Sequence, residues 1–358
     1  MSALVTNPHV LAAAQYVPEW IGVDRTRFIC LDRNECTQPM SNTVSAALVQ
    51  QVTKGVNLYP DDTLAYAPLA EYCGVPESFL LATNGSDQAI DLVMRCFLGP
   101  GDRLLLAMPG FSVFKLVAEL TGATLQEVPF VGDQLEFPYE DFSAALASRP
   151  RAIVFINPNN PTGTPVDLAY IEQTAADHPD LPVIVDEAYF EFTGSTVAPL
   201  IATHRNIIVL RTFSKAFAMA GLRFGYVIAA PEIIKQLAKI RNPFDVNSLA
   251  VTAAIAQLQA IDEVRRYVDE TMQSVKPDVV RFLTDRGLTF VDGAANFLLV
   301  RPRNSAAAVR HLGDAGVLVR SMSQPPLNGT FRVSMGTRDE MDRFRDVFDE
   351  YLKAGLDE

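Results

Sequence analysis

Histidine and cysteine are scarce and poorly placed for metal or redox chemistry. Cys30, Cys36, Cys73 and Cys96 form no CxxC pair, and His9, His178, His204 and His311 are scattered along the chain, which argues against a zinc site and a disulfide framework. No metal is expected. Positive charge is also in deficit, because 30 Lys and Arg against 42 Asp and Glu leave a formal charge of −12. A nucleic-acid partner would need clustered cations, so none is expected. There is no apolar run of membrane-spanning length, and Met1 to Pro8 carry no basic segment leading into an apolar one. The expectation is a soluble, cytoplasmic protein without membrane contact. The sequence also lacks a Gly-x-Gly-x-x-Gly spacing, which removes a nicotinamide dehydrogenase from consideration.

What the chain has is apolar bulk: 358 residues, 49% of them hydrophobic, enough for a large core and more than one lobe. Residues 1–40 read as an N-terminal arm with a strand-like run at Arg27 to Leu31 leading into Asp32-Arg33-Asn34-Glu35. From Leu80 the pattern becomes repeated β and α units. Strands are predicted at 103–107, 124–129, 152–156, 183–185, 206–210 and 224–229, with helix-length segments at 112–121, 139–148 and 166–177 between them. Near-continuous apolar strands with helical crossovers imply a mostly parallel sheet buried on both faces. A long helical stretch, 247–285, leads into a smaller α+β lobe. The predicted division is therefore an arm (1–40) packing with the small domain, a large domain (41–245) and a small C-terminal domain (246–358).

Lysine is rare, and one lysine organises the rest. Of the seven, Lys54, Lys115, Lys235, Lys239, Lys276 and Lys353 have neighbours that read as solvated surface. Lys215 instead sits in Thr212-Phe213-Ser214-Lys215-Ala216-Phe217, among small and apolar residues directly after a strand. Desolvation there lowers its pKa or drives it to a covalent imine. Asp186, in Asp186-Glu187-Ala188-Tyr189, ends another apolar strand, where a carboxylate needs a partner such as a protonated pyridine nitrogen, or serves as a helix N-cap. Asn84-Gly85-Ser86-Asp87 opens a helix, which suits either a phosphate or simple capping. Asn157-Pro158-Asn159-Asn160-Pro161-Thr162-Gly163 forms a rigid β-to-α turn able to hold an amide against a ligand. Thr212, Ser214 and Arg223 can all reach a phosphate while Lys215 holds an aldehyde.

A phosphate cradle, a strand-end aspartate, a lysine in an apolar turn and a nearby arginine match what pyridoxal 5′-phosphate (PLP) requires. With Ala295-Asn296-Phe297-Leu298-Leu299-Val300 and Phe331-Arg332-Val333-Ser334-Met335-Gly336-Thr337 added in order, the chain resembles the fold-type I PLP-dependent aminotransferases. Within them it is most similar to the histidinol-phosphate aminotransferase family, along nearly its whole length. The resemblance implies an α/β PLP-dependent transferase fold, with a large domain on a mostly parallel central sheet and a smaller α+β domain. It implies that Lys215 binds the cofactor aldehyde, that Asp186 keeps the pyridine nitrogen protonated, and that Tyr189 and Asn160 contact the ring hydroxyl. Phe111 would stack on the ring. Ser86, Asp87, Thr212, Ser214 and Arg223 would hold the phosphate, joined by Tyr59 from the other subunit of a homodimer. Arg332 would clamp the substrate carboxylate, and the kinetics would be ping-pong.

The family's phosphate-bearing substrate is met at positions occupied here by Tyr16 and Arg320, which implies transfer from L-histidinol phosphate to 2-oxoglutarate. Two departures oppose this. Glu19 follows Pro18 where relatives commonly carry glycine, and Cys36 stands in an Asn-Glu-Asn motif. An acidic Glu19 beside a phosphate would repel it, so an aromatic amino-acid aminotransferase or another specialised enzyme of the fold is the alternative. A silent PLP-fold regulator would normally bring an added DNA-binding region, whereas here the large domain begins within about forty residues.

Overall fold

The computed structural model describes residues 6–15 and 21–356. Twelve strands form two sheets: β1 Ile29–Leu31, β2 Leu80–Thr83, β3 Arg103–Met108, β4 Thr124–Pro129, β5 Ala152–Ile156, β6 Val183–Asp186, β7 Ile207–Thr212, β8 Gly225–Ala229, β9 Thr289–Asp292, β10 Phe297–Arg301, β11 Val317–Met322 and β12 Thr330–Ser334. The larger sheet has the order β2-β8-β7-β6-β5-β3-β4. Every pairing from β7 through β6, β5 and β3 to β4 is parallel, and only β8 runs against its neighbours.

Both faces of this sheet are covered, as the strand composition requires. Alternate residues feed two separate cores: Leu105, Ile153, Phe155, Val183, Val185 and Val209 face one, and Leu104, Val154, Ile156, Ile184 and Leu210 the other. That period-two split is why these strands read as continuous apolar runs rather than alternating ones. The chain leaves β3 for β4 on one side and resumes at β5 on the other. The strand order therefore reverses between β3 and β5, where ligands of such sheets collect beyond the carboxyl ends.

The smaller sheet, β1-β11-β12-β10-β9, is antiparallel except for β1, which pairs in parallel with β11. Its core includes Leu31, Val300, Val319, Val333, Phe344 and Phe348, with the helix Arg338–Lys353 packed against it. That helix opens with a capping box between Thr337 and Glu340.

Two expectations need correction. The stretch 247–285 is not one helix: it runs as Ser248–Gln259 and Ile261–Glu270, then a π-helical turn Thr271–Val275, then Lys276–Asp285. Lys276 is not solvated, being 4% exposed. Its Nζ pairs with Asp292 at 2.8 Å and donates to the carbonyls of Gly293 and Ala295, so short-range neighbours concealed a partner in the β9–β10 turn. Among the described residues, no helix is long and apolar enough to cross a membrane, and no cluster of His, Cys, Asp and Glu could hold a metal.

Candidate active site

The sequence motifs converge at the carboxyl edge of the larger sheet. Gly85 and Ser86 follow β2, Phe111 follows β3, Asn160 follows β5, Asp186 ends β6, and Thr212 ends β7 ahead of Lys215. At the β2 end, Gly85 takes φ +74, and a Cβ on Gly225 would lie 2.7 Å from the Ser86 nitrogen. Only glycine lets β8 and this turn approach so closely. The helix Gly85–Phe97 has no side-chain cap, since Asn84 makes no capping hydrogen bond. Its first-turn N–H groups stay available at the positive helix end, which disfavours the simple capping reading. Arg223 lies over this turn, its Nη2 donating to Asp87 at 3.0 Å and its Nη1 to Ser214 Oγ at 3.4 Å. Thr212 Oγ1 donates to Ser214 Oγ at 2.9 Å. Five of the expected phosphate residues are thus one cluster.

Lys215 is half-buried, and its Nζ donates to the Arg33 carbonyl at 2.9 Å and lies 5.9 Å from the Tyr189 ring centre. Desolvation first, then the Arg332 charge, lowers its pKa to about 8. Asp186 is 3% exposed, forms no ion pair among the described residues, and accepts from the Ala188 N–H at 3.1 Å. Desolvation lifts its pKa to about 7. Its neighbour Glu187 is neutralised separately by Arg211, at 2.8 Å, behind the site. A deeply buried carboxylate answered by one amide has room for a cationic N–H donor. With the uncapped helix start and the half-buried amine, it makes a donor set that fits PLP.

A second cluster gathers around Arg332. Its Nη1 donates to Asn160 Oδ1 at 2.6 Å and its Nη2 to the Asp32 carbonyl at 2.9 Å. Its guanidinium lies 5.3 Å from the Phe297 ring, which in turn meets the Tyr189 ring edge-on at 5.4 Å. Arg320 stands directly opposite Arg332 in the β11–β12 register, so the two side chains leave the same face of the sheet. Burial, the first cause, raises the Tyr189 phenol to about 12, and the Asn34 amide donates to its oxygen at 2.8 Å. Tyr59 is not in this cluster: it is 79% exposed and stacks on Phe244 at 4.2 Å. Tyr16 and Glu19 lie outside the described residues. Sequence reasoning missed Asn34 and Ser334 as site residues; the one local signal, a polar Asp-Arg-Asn-Glu run after a strand, does not name their partners.

A parallel sheet whose carboxyl edge carries a half-buried amine, a buried carboxylate and an open helix start defines a PLP-dependent transferase. The aminotransferase class I and II family model matches residues 26–348. The chain is 34% identical to a histidinol-phosphate aminotransferase of Roseiflexus castenholzii, covering 98% of this chain and all of that protein. It is 32% identical to a dihydroxyacetone phosphate transaminase of Campylobacter jejuni, covering 92% and 91% of the two chains. Among solved structures, histidinol-phosphate aminotransferase from Sinorhizobium meliloti in complex with PLP superposes with a TM-score of 0.87 at 25% identity, covering 99% of each chain. The chain belongs to the class I and II aminotransferases and is a PLP-dependent enzyme of that family.

The buried carboxylate sets a pH test. Asp87, Glu187 and Lys215 also act on Asp186. Because its folded pKa is raised, the folded state loses stability as pH climbs from about 4 to about 7, and the burden persists above that. Cofactor-free Asp186→Asn should therefore melt at least about 2 °C above wild type at pH 8 and level with it at pH 4, by calorimetry. Transamination should fall on the order of 10²- to 10⁴-fold.

Proposed function

We propose that the enzyme exchanges an amino group between L-histidinol phosphate and 2-oxoglutarate, in a site completed by a second copy of the chain. The observation that carries this reading is the cross-strand pair Arg320 and Arg332. One guanidinium suits a single carboxylate; two on one face suit a phosphate dianion, and equally the two carboxylates of 2-oxoglutarate. Both relatives described above act, by name, on molecules with a phosphate ester next to the carbon that exchanges the amino group, which supports a phosphorylated substrate. In this reading residues 1–40 form an arm, 41–245 the cofactor domain and 246–358 the small domain.

PLP, when bound, supplies an aldehyde that takes up an amine and an electron-poor ring that stabilises charge at the neighbouring carbon. Lys215 would hold the aldehyde at rest. Its free amine, with a pKa of about 8, is neutral in roughly a tenth of molecules at pH 7, far more than an ordinary lysine, and would move the proton from the substrate Cα. Asp186 would keep a proton on the ring nitrogen, and Tyr189 and Asn160 would hold the ring hydroxyl. Phe111 would cover the ring face. The backbone of Ser86 and Asp87, with Thr212, Ser214 and Arg223, would take the phosphate. Arg332, steadied by Asn160 and the Asp32 carbonyl, fixes the substrate anion so that Cα faces Lys215. Tyr16 and Arg320 would complete substrate binding.

Val49, Val52, Val56, Leu58, Tyr59 and Leu64, all exposed within one short chain segment, support a homodimer, since so many exposed apolar side chains close together in sequence are unusual in a monomer. Tyr59 in that segment would reach the phosphate of the other subunit.

Two experiments test these assignments. In a spectrophotometric half-reaction screen, histidinol phosphate alone among histidinol phosphate, phenylalanine, tyrosine and histidine should convert the cofactor to its amine form. Arg320→Ala should raise KM for that donor about 10- to 100-fold with little change in kcat. A response confined to an unphosphorylated aromatic would select the aromatic aminotransferase instead. For the dimer, mixing Lys215→Ala subunits with Tyr59→Ala subunits at limiting PLP should recover about a quarter of wild-type activity, because half the dimers carry one intact site. No recovery would mean that Tyr59 serves its own subunit.

A further inference from the structure

After β1 the chain runs as a four-residue strap, Asp32 to Glu35, and three of its residues each hold a different site group. The Asp32 carbonyl accepts from Arg332, the Arg33 carbonyl accepts from Lys215, and the Asn34 side chain donates to the Tyr189 hydroxyl. Asn34 adopts left-handed backbone, φ 57, a region that asparagine tolerates better than most residues with a Cβ. Ser334 keeps it there: its Oγ accepts from Asn34 N and donates to Asn34 Oδ1, both at 2.8 Å.

One side chain ties the two ends of the strap. Arg25 Nη2 donates to Asp32 Oδ1 and Glu35 Oε2, each at 2.6 Å, and Nη1 to Glu35 Oε1 at 3.2 Å. The Asp32 side chain is 0% exposed, so its charge is met by guanidinium groups rather than by water: Arg25 at 2.6 Å and, less closely, Arg33 at 3.4 Å. Nη2 alone bridges the two carboxylates, and Nη1 adds a second contact to Glu35 that a single ammonium could not reproduce in the same geometry. We infer that Arg25 is a positioning residue for amino-group transfer, closing the strap so that its carbonyls aim Lys215 and Arg332. The inference rests on the roles proposed above for those two residues.

The strap also sets the charge that Lys215 feels. The groups acting on this amine are Arg332 on β12, Glu35 on the strap, Asp87 in the helix after β2, Arg223 beyond the lysine turn, Asp186 on β6 and the Tyr189 ring. Glu35 favours the protonated amine, and Arg25 offsets it. Removing Arg25 therefore strengthens proton binding at Lys215, while removing Glu35 weakens it.

The test uses cofactor-free, full-length protein and needs neither substrate nor turnover. Lys215 is labelled with trinitrobenzenesulfonate across a pH series and quantified by peptide mass spectrometry. Arg25→Gln should raise the labelling midpoint by about half a pH unit or more, Arg25→Lys should raise it less, and Arg25→Gln with Glu35→Gln should return it near wild type. In the PLP-loaded enzyme, Arg25→Gln should also raise KM for the amino donor about tenfold. An unchanged midpoint in folded Arg25→Gln, whatever its melting temperature, overturns the inference, because a merely structural clamp would lower stability alone. Should Arg25→Gln not fold, Glu35→Gln carries the test in the opposite direction: its midpoint should fall, and a rise or no change overturns the inference. A wild-type midpoint near that of free lysine would overturn the site reading as well, which separates the two failures.

Discussion

A half-buried amine and a fully buried carboxylate, neither neutralised by an ion pair with the other, are the constraint on which this structure depends. Lys215 donates to a backbone carbonyl, and Asp186 accepts from one backbone amide. Burial works against the charged form of both, lowering the amine and raising the carboxylate toward a common range near neutrality. Such a pair is unfavourable for folding alone and useful for chemistry. The family's cofactor resolves both costs together, because its aldehyde consumes the amine charge and its ring nitrogen gives the carboxylate a cationic partner.

The rest of the fold holds that pair in place. The parallel strands β5, β6 and β7 bring the Asn160 turn, Asp186 and the Lys215 turn to one edge, buried between two apolar cores that leave little room for the strand ends to shift. The smaller sheet contributes Arg332 from β12. Val291, Phe297 and Leu299 of the smaller sheet join one apolar core of the larger, and polar and aromatic contacts cross beside them. Asn160 holds Arg332, Phe297 packs on Tyr189, and the Gly163 carbonyl accepts from Ala294 N at 2.7 Å. A Cβ on Gly293 would lie 2.2 Å from the Gly163 carbonyl carbon, so that crossing is open only to glycine.

Much of this was legible in the sequence because it depends on local pattern. Ala152–Ile156 and Val183–Asp186 read as buried strands from unbroken apolar character, and a charged residue at the end of such a strand, as at Asp186, stands out against it. Lys215 was legible for the same reason. What stayed hidden depends on partners far along the chain. Lys276 looks like surface beside Pro277 and Asp278, and only the β9–β10 turn reveals it as buried. The break at Ala260 carries no glycine or proline signal, and Pro277, in the first turn of the helix after the π-helical turn at Thr271–Val275, is the one signal there, so the apolar period ran through both unbroken. Asn34 meets Ser334 three hundred residues away, and no spacing rule anticipates that contact. Tyr59 is a different case, because its proposed role belongs to a second copy of the chain.

The account stands most directly on which lysine carries the cofactor. PLP-loaded protein reduced with borohydride, digested and mapped by mass spectrometry should yield one pyridoxyl-modified peptide, containing Thr212 to Ala218 with the added mass on Lys215. A modification that maps instead to the more deeply buried Lys276, or that spreads over surface lysines with Lys215 unmodified, would contradict it.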